Sequence, residues 1–278
     1  MKSYKYLGKV SSEHFLKNLT IRFSQPGAFN DPFELQPEFH VTDEYLSEGE
    51  EHPCTFVIHA HHSSYKKHLL NDHPKETQLK KLDGKKIYLQ LNEQIGILCL
   101  TQENTLMPAN FLMWAHYAES HQGVVIEFKP ESGFIQQSSP VHYLPRRPII
   151  DARLLYENKY VAIEDLYFKS DIWSYENEIR ITKWLSECRN LNIKDPLGND
   201  IYVSDVPLES IKCIYLGCNS SQKMKSAAFE LYNSSGVNVV FLKAHDEEYK
   251  LIPSTNLGGT WSDIYTTNEQ LLFDREKM

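Results

Sequence analysis

The fold is decided by I-K-C-I-Y-L-G at residues 211–217 and V-N-V-V-F-L at residues 237–242. Both stretches are short, apolar and rich in β-branched residues, which predicts two strands. Residues 221–232 between them predict a helix, so the three segments form a β-α-β unit. Together with other short strand and helix signals, this unit predicts an α+β fold with mixed sheet and peripheral helices.

The composition is that of a globular protein. The chain has 278 residues, of which 41% are apolar and 24% charged, and these values exclude disorder, collagen and coiled coil. We expect one elaborated α+β domain over residues 1–278. No apolar run approaches the roughly 18 residues of a membrane span, and we see no signal peptide. Five unpatterned cysteines favour a reducing compartment, so we expect a cytoplasmic protein without a membrane partner.

The overall charge is acidic. With 29 basic and 37 acidic residues, the net charge is −8, which does not draw the chain to nucleic acid or anionic membranes. Two local basic groups occur, one at residues 80–86 and one at Arg146 and Arg147. A solvated surface is the favoured interpretation of both groups.

Residues 40–94 form a polar segment that holds seven of the twelve histidines. We interpret it as an insertion or lid within the domain, with helices predicted at 65–70 and 75–82. His59 and His61 share a predicted strand face, but no Cys or carboxylate completes a metal-ligand spacing. No metal site is therefore predicted.

Further elements are predicted outside this segment. They are a helix at 13–19 capped by Ser11 or Ser12, strands at 20–23, 95–100 and 124–128, and a helix at 108–121.

The loop F-N-D-P-F-E at residues 29–34 is the first candidate site. Asn and Asp side chains bind nearby backbone groups, and proline stiffens the turn. The loop is either a rigid turn anchored by its phenylalanines or a support that holds Asn30 and Asp31 toward a ligand.

The predicted helix at 108–121 is the second candidate. Helical spacing places one set of residues on a core face: Phe111, Ala115 and Ala118. It places a second, aromatic set with polar groups on another face: Asn110, Trp114, Tyr117 and His121. The second face either walls a pocket for a planar ring or is a half-buried face of an ordinary amphipathic helix.

The third candidate is W-S-Y-E-N-E-I-R at residues 173–180. In an extended chain Glu176, Glu178 and Arg180 point to one side, because side chains alternate with period two. They form either a surface ladder of charges or a catalytic glutamate with a partner that tunes its pKa. We expect the three candidate blocks to line one cleft.

These motifs, together with Tyr4-Lys5-Tyr6, I-R-F-S at 21–24 and H-Q-G-V-V-I-E-F at 121–128, occur in an order that resembles the bacterial domain-of-unknown-function family 2971. The resemblance runs from Tyr4 to about Leu251 and leaves out the polar segment. The motif order is also similar to that of ADP-ribosyltransferases, with an aromatic first strand, a middle aromatic motif and a late E-x-E. Two departures are the lack of a first-strand histidine and a middle motif on a predicted helix.

This resemblance implies NAD as a substrate and a macromolecular acceptor, protein or nucleic acid, as for a toxin or antiphage effector. It implies Glu178, with Glu176, as the catalytic carboxylates. It also implies a set of ligand-binding residues: Tyr4, Tyr6, Ser24, Asn30, Asp31, Trp114, His116, Tyr117 and Arg180.

Two other functions stay open. One is a metal-dependent hydrolase or nuclease that uses Asp31, Glu176, Glu178 and a histidine. The other is a non-catalytic ligand sensor with partner proteins encoded in a defence or stress operon. Motifs of P-loop enzymes, Rossmann dehydrogenases, α/β-hydrolases and zincins do not occur in the sequence.

Overall fold

The computed structural model describes residues 1–42, 55–57, 79–82, 84–105, 107–151 and 160–254. The helices are α1 (Lys9–Asn18), α2 (Lys85–Gln94), α3 (Phe111–Tyr117), α4 (Gly133–Gln136) and α5 (Gln222–Ser235). The strands are β1 (Lys2–Leu7), β2 (Thr20–Arg22), β3 (Glu38–Thr42), β4 (Thr55–Val57), β5 (Leu79–Leu82), β6 (Ile95–Glu103), β7 (Val124–Phe128), β8 (Ser139–Pro140), β9 (His142–Leu144), β10 (Ile149–Asp151), β11 (Tyr160–Ala162), β12 (Phe168–Ser170), β13 (Glu178–Trp184), β14 (Arg189–Lys194), β15 (Asp200–Asp205), β16 (Ile211–Leu216), β17 (Asn238–Ala244) and β18 (Leu251–Pro253).

The fold is α+β with mixed sheets, as predicted. The chain forms two compact units, and the single domain expected over residues 1–278 stays a prediction. Unit 1 comprises Met1–Thr20, Gln102–Ile135 and Val206–Met278. Unit 2 comprises Ile21–Thr101 and Gln136–Asp205.

The sheet of unit 1 has the strand order β18-β17-β16-β7-β1. Strands β16 and β17 are parallel and α5 connects them, which confirms the predicted β-α-β unit. The side chain of Ser221 caps α5 by accepting a hydrogen bond from the Met224 amide, and the helix ends at Gly236 in the left-handed region. Strand β7 is antiparallel to β1 and β16, and all of its residues are buried.

In unit 2, strand β13 is the element that positions the candidate site. It pairs antiparallel with β6 and β8. Shorter pairings surround it, among them β9 with β12, β3 with β5 and β10, and β14 with β15. The apolar core of this unit consists of Leu35, Phe39, Leu91, Ile95, Ile97, Val141, Ile150, Ile163, Leu166, Tyr167 and Phe168.

The predicted cap of the first helix is wrong. Helix α1 begins at Lys9, and neither Ser11 nor Ser12 is its N-cap. Ser12 is fully buried inside the helix, where its hydroxyl donates to the Leu7 carbonyl and accepts from the Val124 amide. This hydroxyl therefore connects α1 to β7. Ser12 lies inside the helix because its hydroxyl is needed there to pair the buried backbone amide at the start of β7.

The polar segment 40–94 is described only in part. Residues 79–82, predicted as helical, form strand β5 because their backbone pairs antiparallel with β3. Helix α2 contributes Leu91, which is 0% exposed, to the core of unit 2. The histidines at 59–73 and the predicted helix at 65–70 lie outside the described residues, and the lid interpretation stays a prediction.

None of the helices among the described residues has both the length and the apolar character needed to cross a membrane.

A candidate active site around Glu178

Unit 2 contains five almost completely buried charged side chains that are joined to one another by ion pairs. Each residue is at most 7% exposed, and the set consists of Glu34, Lys169, Glu176, Glu178 and Arg180. They come from four segments: the loop at 29–34, strand β12, the 3-10 helix Asp171–Glu176, and strand β13. We call these five residues the charge cluster.

Two cations bridge the three carboxylates of the charge cluster. Lys169 Nζ lies 2.5 Å from Glu176 Oε2, 3.2 Å from Glu34 Oε1 and 3.2 Å from Glu178 Oε2. Arg180 donates from Nε to Glu178 Oε1 at 2.7 Å and from Nη2 to Glu34 Oε1 at 2.6 Å. Three negative and two positive groups leave a formal charge of −1.

The carboxylate of Glu178 is held in its ionised form. Burial acts to raise its pKa. The charges of Arg180 and Lys169, together with hydrogen bonds from Arg180 and Cys99, lower the pKa and outweigh burial. The net effect holds the pKa of Glu178 well below its ordinary value. Burial likewise acts against the charged form of Arg180, but Glu178 and Glu34 raise its pKa. Ionised Glu178 and Arg180 thus stabilise each other.

Aromatic side chains surround the two cations. The guanidinium carbon of Arg180 lies 5.4 Å from the ring centres of both Phe29 and Tyr167. Lys169 Nζ lies 5.0 Å from the ring centre of Trp173. The hydroxyl of Tyr143 accepts a hydrogen bond from the Glu178 amide at 2.8 Å. These contacts fix the positions of the cations and therefore the position of the Glu178 carboxylate.

The structure corrects the predicted geometry of residues 173–180. Glu176 ends the 3-10 helix rather than lying on the strand, because Asn177 adopts the left-handed conformation with φ 42°. Its carboxylate still meets that of Glu178 at Lys169. The surface-ladder alternative is wrong, since Glu176, Glu178 and Arg180 are 2%, 5% and 1% exposed.

The charge cluster joins the first and third candidate blocks through Glu34 and Arg180. Within the first block, Asp31 is buried and its Oδ1 accepts from the Phe33 amide, which confirms the predicted turn. Asn30 is exposed. Ser24, also in unit 2, exchanges two backbone hydrogen bonds with Ile97. The first and third blocks thus meet at the charge cluster, and the expectation that all three blocks line one cleft stays a prediction.

Two members of the charge cluster were missed from the sequence. Glu34 is the last residue of F-N-D-P-F-E, and its place in that motif was the sequence feature that could have indicated a role in the site. Lys169 has no recognisable motif around it, and only the pairing of β12 with β9 brings it to the site. A lone lysine before a 3-10 helix carries no sequence signal for burial.

A cleft of about 230 Å³ adjoins the charge cluster within unit 2. Lys169 belongs to both, since it lines the cleft and contacts all three carboxylates. The remaining lining comes from the 31–37 loop, residues 144–148 and strand β12 with Leu166. A ligand in this cleft would therefore contact Lys169, one side chain away from Glu178.

The remaining predicted ligand residues lie in unit 1. Tyr6 and Trp114 are buried, with their rings perpendicular and 5.6 Å apart. Tyr4 is 0% exposed and packs edge-on against Tyr215. On α3, His116 is exposed and Tyr117 is half-buried.

The core face predicted for helix α3 is wrong for Phe111 and Ala115 and correct for Ala118. Phe111 and Ala115 are exposed, whereas Met113, Trp114 and Ala118 are buried. The large Trp114 ring decides which face of the helix is buried, and its Nε1 donates a hydrogen bond to the Pro108 carbonyl at 2.9 Å.

His121 reaches Trp114 by a turn rather than by helical spacing. Helix α3 ends at Tyr117, and residues 119–121 have φ angles of 49°, 54° and 65°. This turn stacks the His121 ring on Trp114, with ring centres 5.4 Å apart. Trp114 therefore serves as core, whereas the other aromatic side chains of this block are exposed or half-buried.

Unit 1 has a buried carboxylate of its own. Glu127 is 1% exposed and accepts from Lys212 and Tyr215 at 2.8 and 2.7 Å. Burial raises the pKa of Tyr215 and, to about 12, that of Cys213. Both groups are therefore neutral near pH 7.

No group of three or more His, Cys, Asp or Glu side chains that could hold a metal ion is found among the residues with described positions. The positive charges that meet the three glutamates of the charge cluster are those of Lys169 and Arg180.

Comparison with known proteins gives one family match. The model of the family described as "Protein of unknown function (DUF2971)" matches residues 113–181, which include M-W-A-H-Y-A and W-S-Y-E-N-E-I-R. The match supports the resemblance drawn from those motifs. No curated protein and no solved structure matches the chain.

Proposed function

We propose that this chain is an ADP-ribosyltransferase-like enzyme that uses NAD to modify a macromolecule, with Glu178 as its catalytic carboxylate. The observation that carries the proposal is the position of Glu178, held ionised by Arg180 and Lys169 next to a cleft. The motif order of the sequence supports the same assignment.

The reaction needs a carboxylate of this kind. Breaking the nicotinamide–ribose bond gives its electron pair to nicotinamide and leaves positive charge on the ribose. A fixed, ionised carboxylate stabilises that charge without reorganising, and it can align the 2′-hydroxyl of the ribose. The acceptor nucleophile then forms the new bond to the ribose and loses its proton.

Access to Glu178 depends on Lys169 in this proposal. Lys169 lines the cleft and also contacts Glu178 through its ammonium group, and a lysine side chain is long and flexible. When the Lys169 ammonium moves away from Glu178 as a ligand enters the cleft, it uncovers one oxygen of that carboxylate. Arg180 still binds the other oxygen and keeps the carboxylate in place.

The charge cluster supports this chemistry better than metal-dependent hydrolysis. Carboxylate oxygens that would bind a metal ion are occupied by Lys169 and Arg180 at 2.5–3.2 Å. A divalent cation would have to displace both, leaving their charges buried and unpaired.

A second candidate is the ligand sensor, and the burial of Glu178 favours it. At 5% exposure, the carboxylate contacts a ligand only after Lys169 moves. A sensor would use the same movement to report occupancy of the cleft without breaking a bond.

The test uses NAD labelled in its adenylate part, incubated with the protein and with lysate protein and RNA. The proposal expects label to enter one of these acceptors with the wild type and not with Glu178→Gln. If the wild type labels no acceptor and releases no nicotinamide, the transferase proposal is rejected in favour of the sensor.

A further inference from the structure

The cleft of unit 2 carries opposite charges at its two ends. Asp31 and Lys169 line it and are buried, at 6% and 7% exposure. Arg146 and Arg147 line it and are exposed. Burial therefore places the acidic residue and Lys169 at the inner end and the two arginines at the mouth.

The two arginines at the mouth differ in their hydrogen bonds. Arg147 donates from Nε and Nη2 to the Gln36 carbonyl, which fixes the 31–37 loop to residues 144–148. Arg146 makes no hydrogen bond or ion pair within the described part of the chain. Its guanidinium is thus free to bind an anion. The planar arginine group is well suited to bidentate hydrogen bonding with phosphate.

The inner end is negative in spite of Lys169. Lys169 is neutralised by the carboxylates around it, and the charge cluster has a formal charge of −1. Asp31 adds a further carboxylate. Its Oδ1 accepts from the Phe33 amide at 2.9 Å, whereas its Oδ2 has no partner among the residues the structure describes.

Apolar walls make up much of the remaining lining. They consist of Phe33, Leu144, Pro145, Pro148, Leu166 and Phe168. Such walls suit a planar ring, and they strengthen charge interactions by excluding water. Pockets for drug-sized ligands span roughly 300–1,000 Å³, so a cleft of about 230 Å³ holds part of a dinucleotide rather than all of it.

We infer that this cleft binds a charge-separated ligand, with a phosphate at Arg146 and a cationic ring inside beside Asp31. The inference rests on the proposed function for the identity of the ligand. Oxidised NAD carries a positive pyridinium ring and a diphosphate, whereas reduced NAD has the same phosphates and a neutral ring. The cleft therefore selects the oxidised form through Asp31 and anchors both forms through Arg146.

The experiment measures binding rather than turnover. Calorimetry compares three probes: carba-NAD in its oxidised form, which resists cleavage, its reduced form, and ADP-ribose. Wild-type protein should bind the oxidised form about tenfold more tightly than the reduced form, which corresponds to one favourable charge contact of about 1.4 kcal/mol. Asp31→Asn should remove this preference and leave ADP-ribose binding within about twofold.

Arg146→Gln should weaken binding of all three probes by a similar factor of about ten. Arg189→Gln is the matched control, because Arg189 is an exposed arginine of the same unit that lies 3.9 Å from Asp205. Asp31→Asn keeps an oxygen for the Phe33 amide, so its melting temperature should match that of the wild type.

The outcomes separate this inference from the proposed function. Equal wild-type binding of oxidised and reduced probe, no binding of any probe, or no effect of Arg146→Gln would overturn the inference, even if Glu178 proves essential for turnover. If the protein shows the expected binding pattern but never cleaves NAD, the inference is supported and the proposed transferase activity is rejected.

Discussion

Glu178 and Arg180 lie two residues apart on one face of β13, where the Arg180 Nε donates a 2.7 Å hydrogen bond to the Glu178 carboxylate. Both are buried, and they pair in register with Thr101 and Cys99 of β6. A buried ion pair on a paired strand cannot relax easily, so the carboxylate keeps its charge and its direction. The stability of unit 2 and the activity proposed for it therefore depend on the same contact.

The charge balance of the cluster predicts unequal effects for two substitutions. Lys169→Met leaves three carboxylates against Arg180 alone, and breaking a buried pair in this way costs about 3–5 kcal/mol. Glu178→Gln leaves two carboxylates against two cations and should cost less than half as much. Urea unfolding of both variants measures the difference, and equal losses would show that charge balance does not hold the cluster together.

The lowered pKa of Glu178 predicts an acid-sensitive stability. The unfolded chain takes up this proton near pH 4.3, whereas the folded chain does so only at lower pH. Stabilisation from Glu178 is therefore present above about pH 4.3 and is lost as pH falls toward the folded pKa, by up to about 1.4 kcal/mol per pH unit. The difference in unfolding free energy between wild type and Glu178→Gln should shrink steadily as pH falls below about 4.3, and a difference that stays constant with pH would contradict the shift.

Secondary structure was predictable where local pattern and tertiary packing agree. Strands β7 and β16, helix α5 and the turn at Asp31 follow from apolar runs, capping residues and Asx chemistry. The cap of α1 was not predictable, because Ser12 forms hydrogen bonds to a strand distant in sequence.

The charge cluster was predictable only in part. Alternation along W-S-Y-E-N-E-I-R pointed to Glu178 and Arg180, which do share a face. Their burial and their partners Glu34 and Lys169 depend on contacts up to 146 residues apart. No local pattern carries such information, since an exposed and a buried charge look the same in sequence.

Gly123 in unit 1 offers a test of close backbone packing. A Cβ atom at this position would lie 1.8 Å from the Leu7 carbonyl oxygen, so the strands would have to separate. Gly123→Ala should destabilise the protein by several kcal/mol, on the order of other overpacked or strained sites.

Gly133→Ala is its control, since a Cβ there meets no atom within 4 Å. Thermal melting should therefore show a large decrease for Gly123→Ala and an unchanged value for Gly133→Ala. A similar change in both variants would refute the close approach of Gly123 to Leu7.

The rate of nicotinamide release from NAD tests the central claim most directly, measured for wild type, Glu178→Gln and Glu187→Gln at matched folded concentration. Glu187 is an exposed glutamate of the same unit and serves as the control. The proposal predicts that Glu178→Gln lowers the rate by on the order of 10² to 10³, while Glu187→Gln leaves it unchanged. A folded Glu178→Gln protein that releases nicotinamide as fast as the wild type would contradict the role of Glu178.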